Sequence, residues 1–475
     1  MAEGHAHVIG ICGKGTSAIA SLLRDAGYTV TGTTGVCHPP IKDFLEEHGL
    51  ATHTDFARSN IPPETTLVVA GASAALDRDK NEEVDEAHVR GIPVETFPET
   101  LARLSDHHER IVVAGSYGKT TSTSLAAWIL HHAGTDPSYF IGEMQAQLPS
   151  HGHLGSSNQF VIEGDEYPTS GIDRRSKFLL FPPHDVLLTA ADHDHVNVFK
   201  THEEFMVPFR ALLGHIPKDG ILVACSDNEH VRTIANEHTG SVVTYGLDQV
   251  HAPNYTANNI TYGKVSSFDL VRNGETLARV ETPLLGAHNI QNIVGAAAMV
   301  LEKQLVTPEE VAAAIAEYRG VPRRLDSKTD HSTVAVYEGY GTSREKALAA
   351  IAAIKLHFPN RRLVCVFEPH TFSWRNREKL VWYDDTFADV DHVFVYKPLE
   401  LNVGSHDQVT HDEIMDRLKA ANVDATKVTA GDEGIALLRD FLEPHDVVLL
   451  LTSGPLDGMI ESVPQLVEEL FPIKP

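Results

Sequence analysis

The sequence predicts an α/β protein built on parallel sheets in about three domains, and three observations carry that expectation. Short apolar runs alternate with helical patterns from the first residues, Gly-rich turns join them, and a length of 475 residues suits about three domains at roughly 150 residues each. His7–Ile11 reads as the first strand, followed by a Gly-rich turn and a helical pattern through Leu22 and Leu23 that Gly27 can end. Tyr28–Thr33 and Thr66–Ala70 are the next strands, and the polar stretch Asp106–His108 marks a first boundary, which makes 1–106 one domain.

The second domain, 107–321, opens with the strand Arg110–Ala114, the turn Gly115–Gly118 and a helix from Thr120 towards His132, with Gly134 beyond it. Phe160–Glu163 and Asp185–Thr189 are further strands. Between Thr256 and Thr282 the texture becomes β-rich, with Asn273-Gly274 as a hairpin signal. A helix follows His288. Thr307-Pro308-Glu309-Glu310 then combines a capping box with Pro at the first helical position, and Gly320 closes that helix. The third domain, 322–475, begins at Val321-Pro322-Arg323-Arg324 and again alternates, with strands at Val334–Tyr340, Leu363–Glu368, His392–Tyr396 and Val447–Thr452.

Composition narrows the function. Thirty-nine Lys+Arg against 65 Asp+Glu give a formal charge of −26, which argues against nucleic acid and anionic membranes as partners recognised by bulk charge. Local Gly loops and helix N-termini can still bind anions in such a chain. No run approaches the ~20 apolar residues of a membrane helix, and no basic segment precedes the first apolar stretch, so a cytoplasmic protein without a signal peptide is expected. Cys12, Cys37, Cys225 and Cys365 are scattered, suggesting neither a disulfide framework nor a zinc knuckle.

The sharpest local signal is Gly115-Ser116-Tyr117-Gly118-Lys119-Thr120-Thr121 after the apolar strand Val112-Val113-Ala114. A Gly-rich turn between strand and helix aims backbone N–H groups at phosphate. Lys119 can neutralise β/γ oxygens, and a Thr120 or Thr121 hydroxyl can ligate Mg²⁺. The spacing departs from the full phosphate-loop pattern, because Val113 stands where its first Gly would be. Gly10-Ile11-Cys12-Gly13-Lys14-Gly15 is a weaker fingerprint, readable as a pyrophosphate loop or as a plain structural turn. The acid that would hold a dinucleotide ribose is replaced by Thr31-Gly32-Thr33-Thr34, which disfavours NAD and a dehydrogenase.

Two acidic clusters end strands in the middle domain: Glu163-Gly164-Asp165-Glu166, and Asp192-His193-Asp194-His195. Hard oxygen ligands at strand C-terminal ends suit Mg²⁺ on phosphates, although solvated acidic loops have the same composition. Arg174, Arg175 and Lys177 form a basic patch that fits either an anionic ligand or a surface charge run.

In this order and spacing the features resemble the Mur ligase family of ATP-dependent amide-forming enzymes, over nearly the whole chain. The N-terminal Gly loop, the Gly115–Thr121 loop, Glu163, Asp194-His195, Gly286-Ala287-His288-Asn289-Ile290-Gln291-Asn292 and Arg323-Arg324-Leu325-Asp326 carry the likeness. The resemblance implies a three-domain architecture: a Rossmann-like N-terminal domain, a phosphate-loop ATPase domain with the extra β-rich segment, and a Rossmann-like C-terminal domain. The first would hold UDP-N-acetylmuramate, with Gly10, Gly13 and Gly15 near its pyrophosphate. The third would bind the amine and close over ATP. The family's chemistry transfers the γ-phosphoryl to the sugar's lactyl carboxylate, and the amine then attacks the acyl phosphate. Glu163 and His195 match its second-metal positions, His288, Asn289 and Asn292 its adenine segment, and Arg324 its ATP-contacting Arg.

Two branches of the family act on this sugar nucleotide. Cys37-His38-Pro39-Pro40, Phe160–Glu166 with Asp173–Phe178, and Thr452–Gly458 look like the branch that attaches the recycled tripeptide L-Ala-γ-D-Glu-meso-diaminopimelate. Glu368-Pro369-His370-Thr371-Phe372-Ser373 is more like the branch that attaches L-alanine. On count, the tripeptide ligase of peptidoglycan recycling is expected, with the L-alanine ligase or a non-catalytic nucleotide-binding relative as alternatives. The chain also departs from both branches. Glu338-Gly339-Tyr340-Gly341-Thr342-Ser343-Arg344 replaces a segment whose carboxylate would meet the ATP ribose, placing Gly339 there and leaving Glu338 as a candidate substitute. Ala190-Ala191-Asp192 and Tyr117 are further departures. A lost hydrogen bond to a charged group is worth roughly 1.5–3 kcal/mol.

Overall fold

The computed structural model describes residues 4–71, 81–171, 173–195, 198–398 and 407–473. It contains three sheets, one in each third of the chain. The first comprises β1 (Gly4–Ile9), β2 (Tyr28–Thr33), β3 (Ala51–His53), β4 (Thr65–Ala70) and β5 (Val94–Thr96), in the order β3-β2-β1-β4-β5 and parallel throughout. Ala6, Val8 and Ile9 of β1 are fully buried, as expected of a central strand covered on both faces. The chain order reverses at β1, so the loop after it opens the crevice where parallel sheets bind ligands.

The second sheet has ten strands: β6 (Glu109–Ala114), β7 (Ser138–Phe140), β8 (Gly152–His153), β9 (Gln159–Gly164), β10 (Asp185–Leu188), β11 (Ile221–Cys225), β12 (Ser241–Tyr245), β13 (Tyr255–Thr261), β14 (Ser266–Arg272) and β15 (Glu275–Thr282). Their order is β15-β14-β13-β12-β11-β10-β6-β9-β7-β8. β6 lies between β9 and β10, parallel to both, in the register Ala114↔Gly164 and Leu188↔Ala114. That register brings the loops after three strands to one place. The β14–β15 turn is the expected Asn273-Gly274, both with positive φ (49° and 85°), the conformation that twists a two-residue hairpin correctly.

The third sheet runs β16-β17-β21-β18-β19-β20, made of β16 (Arg324–Ser327), β17 (Ala335–Tyr340), β18 (Leu363–Phe367), β19 (His392–Tyr396), β20 (Ala425–Val428) and β21 (Val447–Thr452). Only β16 is antiparallel to its neighbour among the described pairings of this sheet. β21 sends Val447, Leu449 and Leu451 into one core and Val448 and Leu450 into the other. Both faces are therefore covered, and the strand is apolar without alternation.

By contacts the chain forms two compact units. One comprises Met1–Ile260, Phe268–Glu281 and Ile290–Val321, and the other Thr261–Ser267, Thr282–Asn289 and Pro322–Pro475. Among the described residues no helix is long and apolar enough to cross a membrane.

One expectation fails here. The scattered cysteines suggested no disulfide framework, yet Cys12 and Cys37 form a disulfide with Cα atoms 5.7 Å apart. They leave the C-terminal ends of β1 and β2, which pair in register at Ile9↔Thr33, so a separation of 25 residues in sequence becomes contact in space. Cys225 and Cys365 are buried free thiols.

Candidate active site

The site is built on the loop between β6 and the helix Lys119–His132. Gly115 (φ 140°) and Gly118 (φ 82°) adopt backbone conformations that a side chain disfavours. A Cβ at Gly115 would stand 2.7 Å from the Ala190 backbone nitrogen, and one at Gly118 2.8 Å from the Asn292 Oδ1. The loop therefore closes only on glycine. Gly118 caps the helix without a side-chain hydrogen bond, which leaves first-turn N–H groups aimed at the mouth of the loop. Thr189, just past β10, fastens the loop by donating its hydroxyl to the carbonyls of Tyr117 and Ala114, and Ser116 N donates to Ala190 O at 3.0 Å. The unusual Ala190-Ala191-Asp192 stretch thus latches the loop, with Asp192 N donating to Ser116 Oγ at 3.0 Å.

The carboxylates of the first acidic cluster divide their work. Glu163, near the end of β9, accepts the Thr120 hydroxyl at 2.7 Å and the Gly142 N–H at 2.6 Å. Thr121 is buried beside Thr120. Lys119 Nζ donates back to Gly115 O and lies 2.9 Å from Glu166 Oε2. His195 Nε2 is 3.3 Å from Glu166 Oε1. The hydrogen bond to Glu166 raises the His195 pKa, burial opposes the rise, and the Asp194 carboxylate adds to it. Lys119, Thr120, Glu163 and His195 are thereby brought together. Glu166 was not singled out from sequence, because a solvated acidic loop reads the same way. The one available signal was its place three residues after Glu163 at a strand end.

Lys177 is buried, paired with Asp165 Oδ2 at 2.5 Å, and set over the Tyr167 and Phe97 rings at 5.3 and 5.8 Å from their centroids. It braces the acidic loop. Arg175 is exposed and forks onto Asp173, and Arg174 is exposed, so the basic patch does not converge as a group.

The N-terminal loop sits against the same unit. Gly10 has φ 77° and donates its N–H to Thr33 O at 2.7 Å, Gly13 caps the helix Lys14–Asp25 without a side-chain bond, and Gly15 faces the Phe97 ring. That helix is tied to the central sheet by Ser17 Oγ with His151 Nε2 at 2.8 Å, by the Lys14–Glu143 ion pair and by His153, which bridges Asp25 and Asp136 at 3.2 and 2.9 Å. Burial pushes the His151 pKa down to about 4, so this contact is made by a neutral imidazole. Asn292 accepts from Ser122 Oγ at 3.3 Å, beside the phosphate loop.

His288, Asn289 and Arg324 belong to the second unit. Asn289 is buried and donates to Leu285 O at 2.8 Å, whereas His288 and Arg324 are exposed. Glu338 is no substitute for the missing ribose acid. It is 2% exposed and held by Arg323 Nε at 3.0 Å and Lys328 Nζ at 2.6 Å. Gly339 points to the opposite face, where a Cβ would meet Leu449 and Leu451 at 3.4 Å. An apolar wall stands where a carboxylate was expected. Glu368 is buried at the end of β18, accepting the Thr452 hydroxyl and the Leu456 N–H at 3.3 Å, so the two motifs that pointed to different branches pack on each other.

A separate cluster, Glu109–His184–Asp185, lies at the opposite strand ends, with Lys303 Nζ already between Glu109 and Asp185 at 3.2 and 3.0 Å.

Residues 5–109 match the profile described as Mur ligase family, catalytic domain, and residues 113–300 the Mur ligase middle domain. A UDP-N-acetylmuramate–L-alanine ligase of Endomicrobium trichonymphae is 31% identical over 449 residues, covering 94% of this chain and 95% of the relative. The structure of UDP-N-acetylmuramate-alanine ligase MurC from Thermotoga maritima superposes with a TM-score of 0.76 at 22% identity, covering 98% of this chain and 99% of that one. A murein peptide ligase from Psychrobacter arcticus superposes with a TM-score of 0.66 at 22% identity, covering 99% of this chain and all (100%) of that one.

These findings overturn the tripeptide expectation, since full-length relatives carry the L-alanine name. Two of the three stretches that suggested the tripeptide branch lie in the first unit, outside the third sheet assigned by resemblance to the acceptor. They are poor reporters of acceptor choice. With likeness to a full-length relative and the three-sheet architecture both in place, the chain belongs to the Mur ligase family, the ATP-dependent ligases of peptidoglycan synthesis.

Proposed function

We propose that this chain joins UDP-N-acetylmuramate to L-alanine, with ATP as the source of the activating phosphoryl group and Mg²⁺ as the metal. The observation that carries the chemistry is the convergence of Lys119, the Thr120–Glu163 pair and His195 at the ends of β6, β9 and β10. The acceptor rests on the full-length relatives. On this reading 1–106 holds the sugar nucleotide, with Gly10, Gly13 and Gly15 around its pyrophosphate. Residues 107–321 hold ATP, with Asn292 beside the loop, and 322–475 hold L-alanine.

A carboxylate is a poor electrophile, and bringing it to a triphosphate places two anions side by side. Lys119 and the helix N-terminal N–H groups neutralise the β/γ oxygens, so catalysis is positioning plus electrostatics. The oxygen donors of Thr120 and Glu163 with the His195 imidazole suit Mg²⁺, which when bound shields the phosphates. Phosphate release with ATP and UDP-N-acetylmuramate tests the reading: release should require L-alanine. Release that ignores L-alanine, or its absence in a folded protein, would overturn the proposal.

A further inference from the structure

Glu166 is a completely buried carboxylate whose partners among the described residues are Lys119 and His195, and neither of the roles assigned above uses it. Burying a carboxylate is costly unless cations meet it. Here both of its partners are groups proposed to face ATP and metal. We propose that Glu166 is a positioning residue of the phosphoryl-transfer centre, one carboxylate that holds the Lys119 ammonium at the loop mouth and fixes the His195 ring.

The loop is built to aim it. Asp165 is neutralised by Lys177 and accepts the Tyr167 N–H at 3.0 Å, and the Tyr167 ring packs edge-on against His195 with centroids 5.0 Å apart. Residues on both sides of Glu166 are thus fixed, and its side chain lies between Lys119 and His195. His195 is itself held in a left-handed conformation (φ 53°), its N–H donated to Asp194 Oδ1 at 2.7 Å. With Nε2 turned to Glu166, Nδ1 is the remaining ring nitrogen that can ligate. A carboxylate behind a ligating imidazole fixes ring orientation in this way.

Lys119 has a second tie to the same carboxylate. A triphosphate entering the loop competes with Glu166 for the ammonium, so Glu166 helps the Gly115 carbonyl to hold Lys119 at the mouth and opposes phosphate binding by its own charge. The two effects separate in experiment. Glu166→Gln keeps the shape and removes the charge, so ATP should bind at least as tightly while Lys119 and His195 lose their fixed placement.

The inference rests on the ATP-dependent ligase reading, and two measurements keep the failures apart. The first is the dissociation constant of ATP for the full chain without divalent cation, by calorimetry. The second is phosphate release with Mg-ATP, UDP-N-acetylmuramate and L-alanine. For Glu166→Gln the expected result is a kcat lowered about 10–100-fold with an ATP dissociation constant equal to or below the parent's. Glu166→Asp, which keeps the charge at shorter reach, should recover part of kcat and bind ATP like the parent. It decides the matter if Glu166→Gln loses its cooperative melting transition. A kcat within about twofold of the parent, or ATP binding weakened in step with kcat, would overturn the assignment. Should the parent not turn over, the acceptor reading fails, and the metal-free affinity alone decides Glu166: equal or tighter binding supports it, weaker binding refutes it.

Discussion

Lys119 is the residue on which the phosphate site turns, because its ammonium is placed at the mouth of a loop closed by Gly115 and Gly118. Lys119→Ala is expected to lower phosphate release at least about 100-fold, with the far-ultraviolet circular dichroism of the parent retained. Normal turnover would remove the loop from the mechanism. Glu163→Ala is expected to shift the Mg²⁺ dependence of turnover to higher concentration, since the Thr120 hydroxyl loses its carboxylate partner. An unchanged titration would contradict a metal role. These residues were legible because glycines, a lysine and hydroxyls between strand and helix form a local pattern. Glu166 and Thr189 were not. Their roles come from strand neighbours 47 and 75 positions away in sequence, read from the Lys119–Glu166 and Ala114–Thr189 contacts. Glu338 shows the converse, since sequence proximity to Gly339 suggested a substitute that strand alternation turns to the other face.

Elements with local punctuation were legible to within about three residues, the first strand being Gly4–Ile9 where His7–Ile11 was expected. Tyr28–Thr33, His392–Tyr396 and Val447–Thr452 lie where the apolar runs placed them. The helix Pro308–Glu317 starts at the expected capping box, in which Thr307 Oγ1 accepts the Glu310 N–H at 3.2 Å and Glu310 accepts the Thr307 N–H at 2.7 Å. It ends three residues before Gly320, with Tyr318 as its C-cap. Thr307→Ala should cost about 1 kcal/mol, measured by chemical denaturation, and a stability equal to the parent's would mean that the cap is replaced by water. The strands β3, β5, β7 and β8 were missed because two or three residues carry no period, and they exist through pairing with longer neighbours. The phosphate-loop helix is buried nearly all round, down to Ser122, Thr123 and Ser124. Its boundary was readable from glycines rather than from amphipathicity.

At the scale of the molecule the three-sheet architecture followed from alternation and family likeness, whereas long-range ties did not. The Cys12–Cys37 bond joins the N-terminal Gly loop to the segment after β2 and closes a loop of 25 residues. Such closure is worth about 3 kcal/mol. Reductant should therefore lower the parent's melting temperature by a few degrees and leave the Cys12→Ser variant unaffected, while identical melting with and without reductant would exclude the bond in solution. Acceptor choice was the least legible property, because the stretches bearing the two branch likenesses meet at Glu368 and Thr452. The measurement that most directly tests the central claim is mass spectrometry of the product formed from UDP-N-acetylmuramate and ATP with equimolar L-alanine and L-Ala-γ-D-Glu-meso-diaminopimelate. The account predicts an ATP-dependent sugar nucleotide heavier by one alanyl residue. A tripeptide conjugate as the main product, or no conjugate from a folded protein, would contradict it.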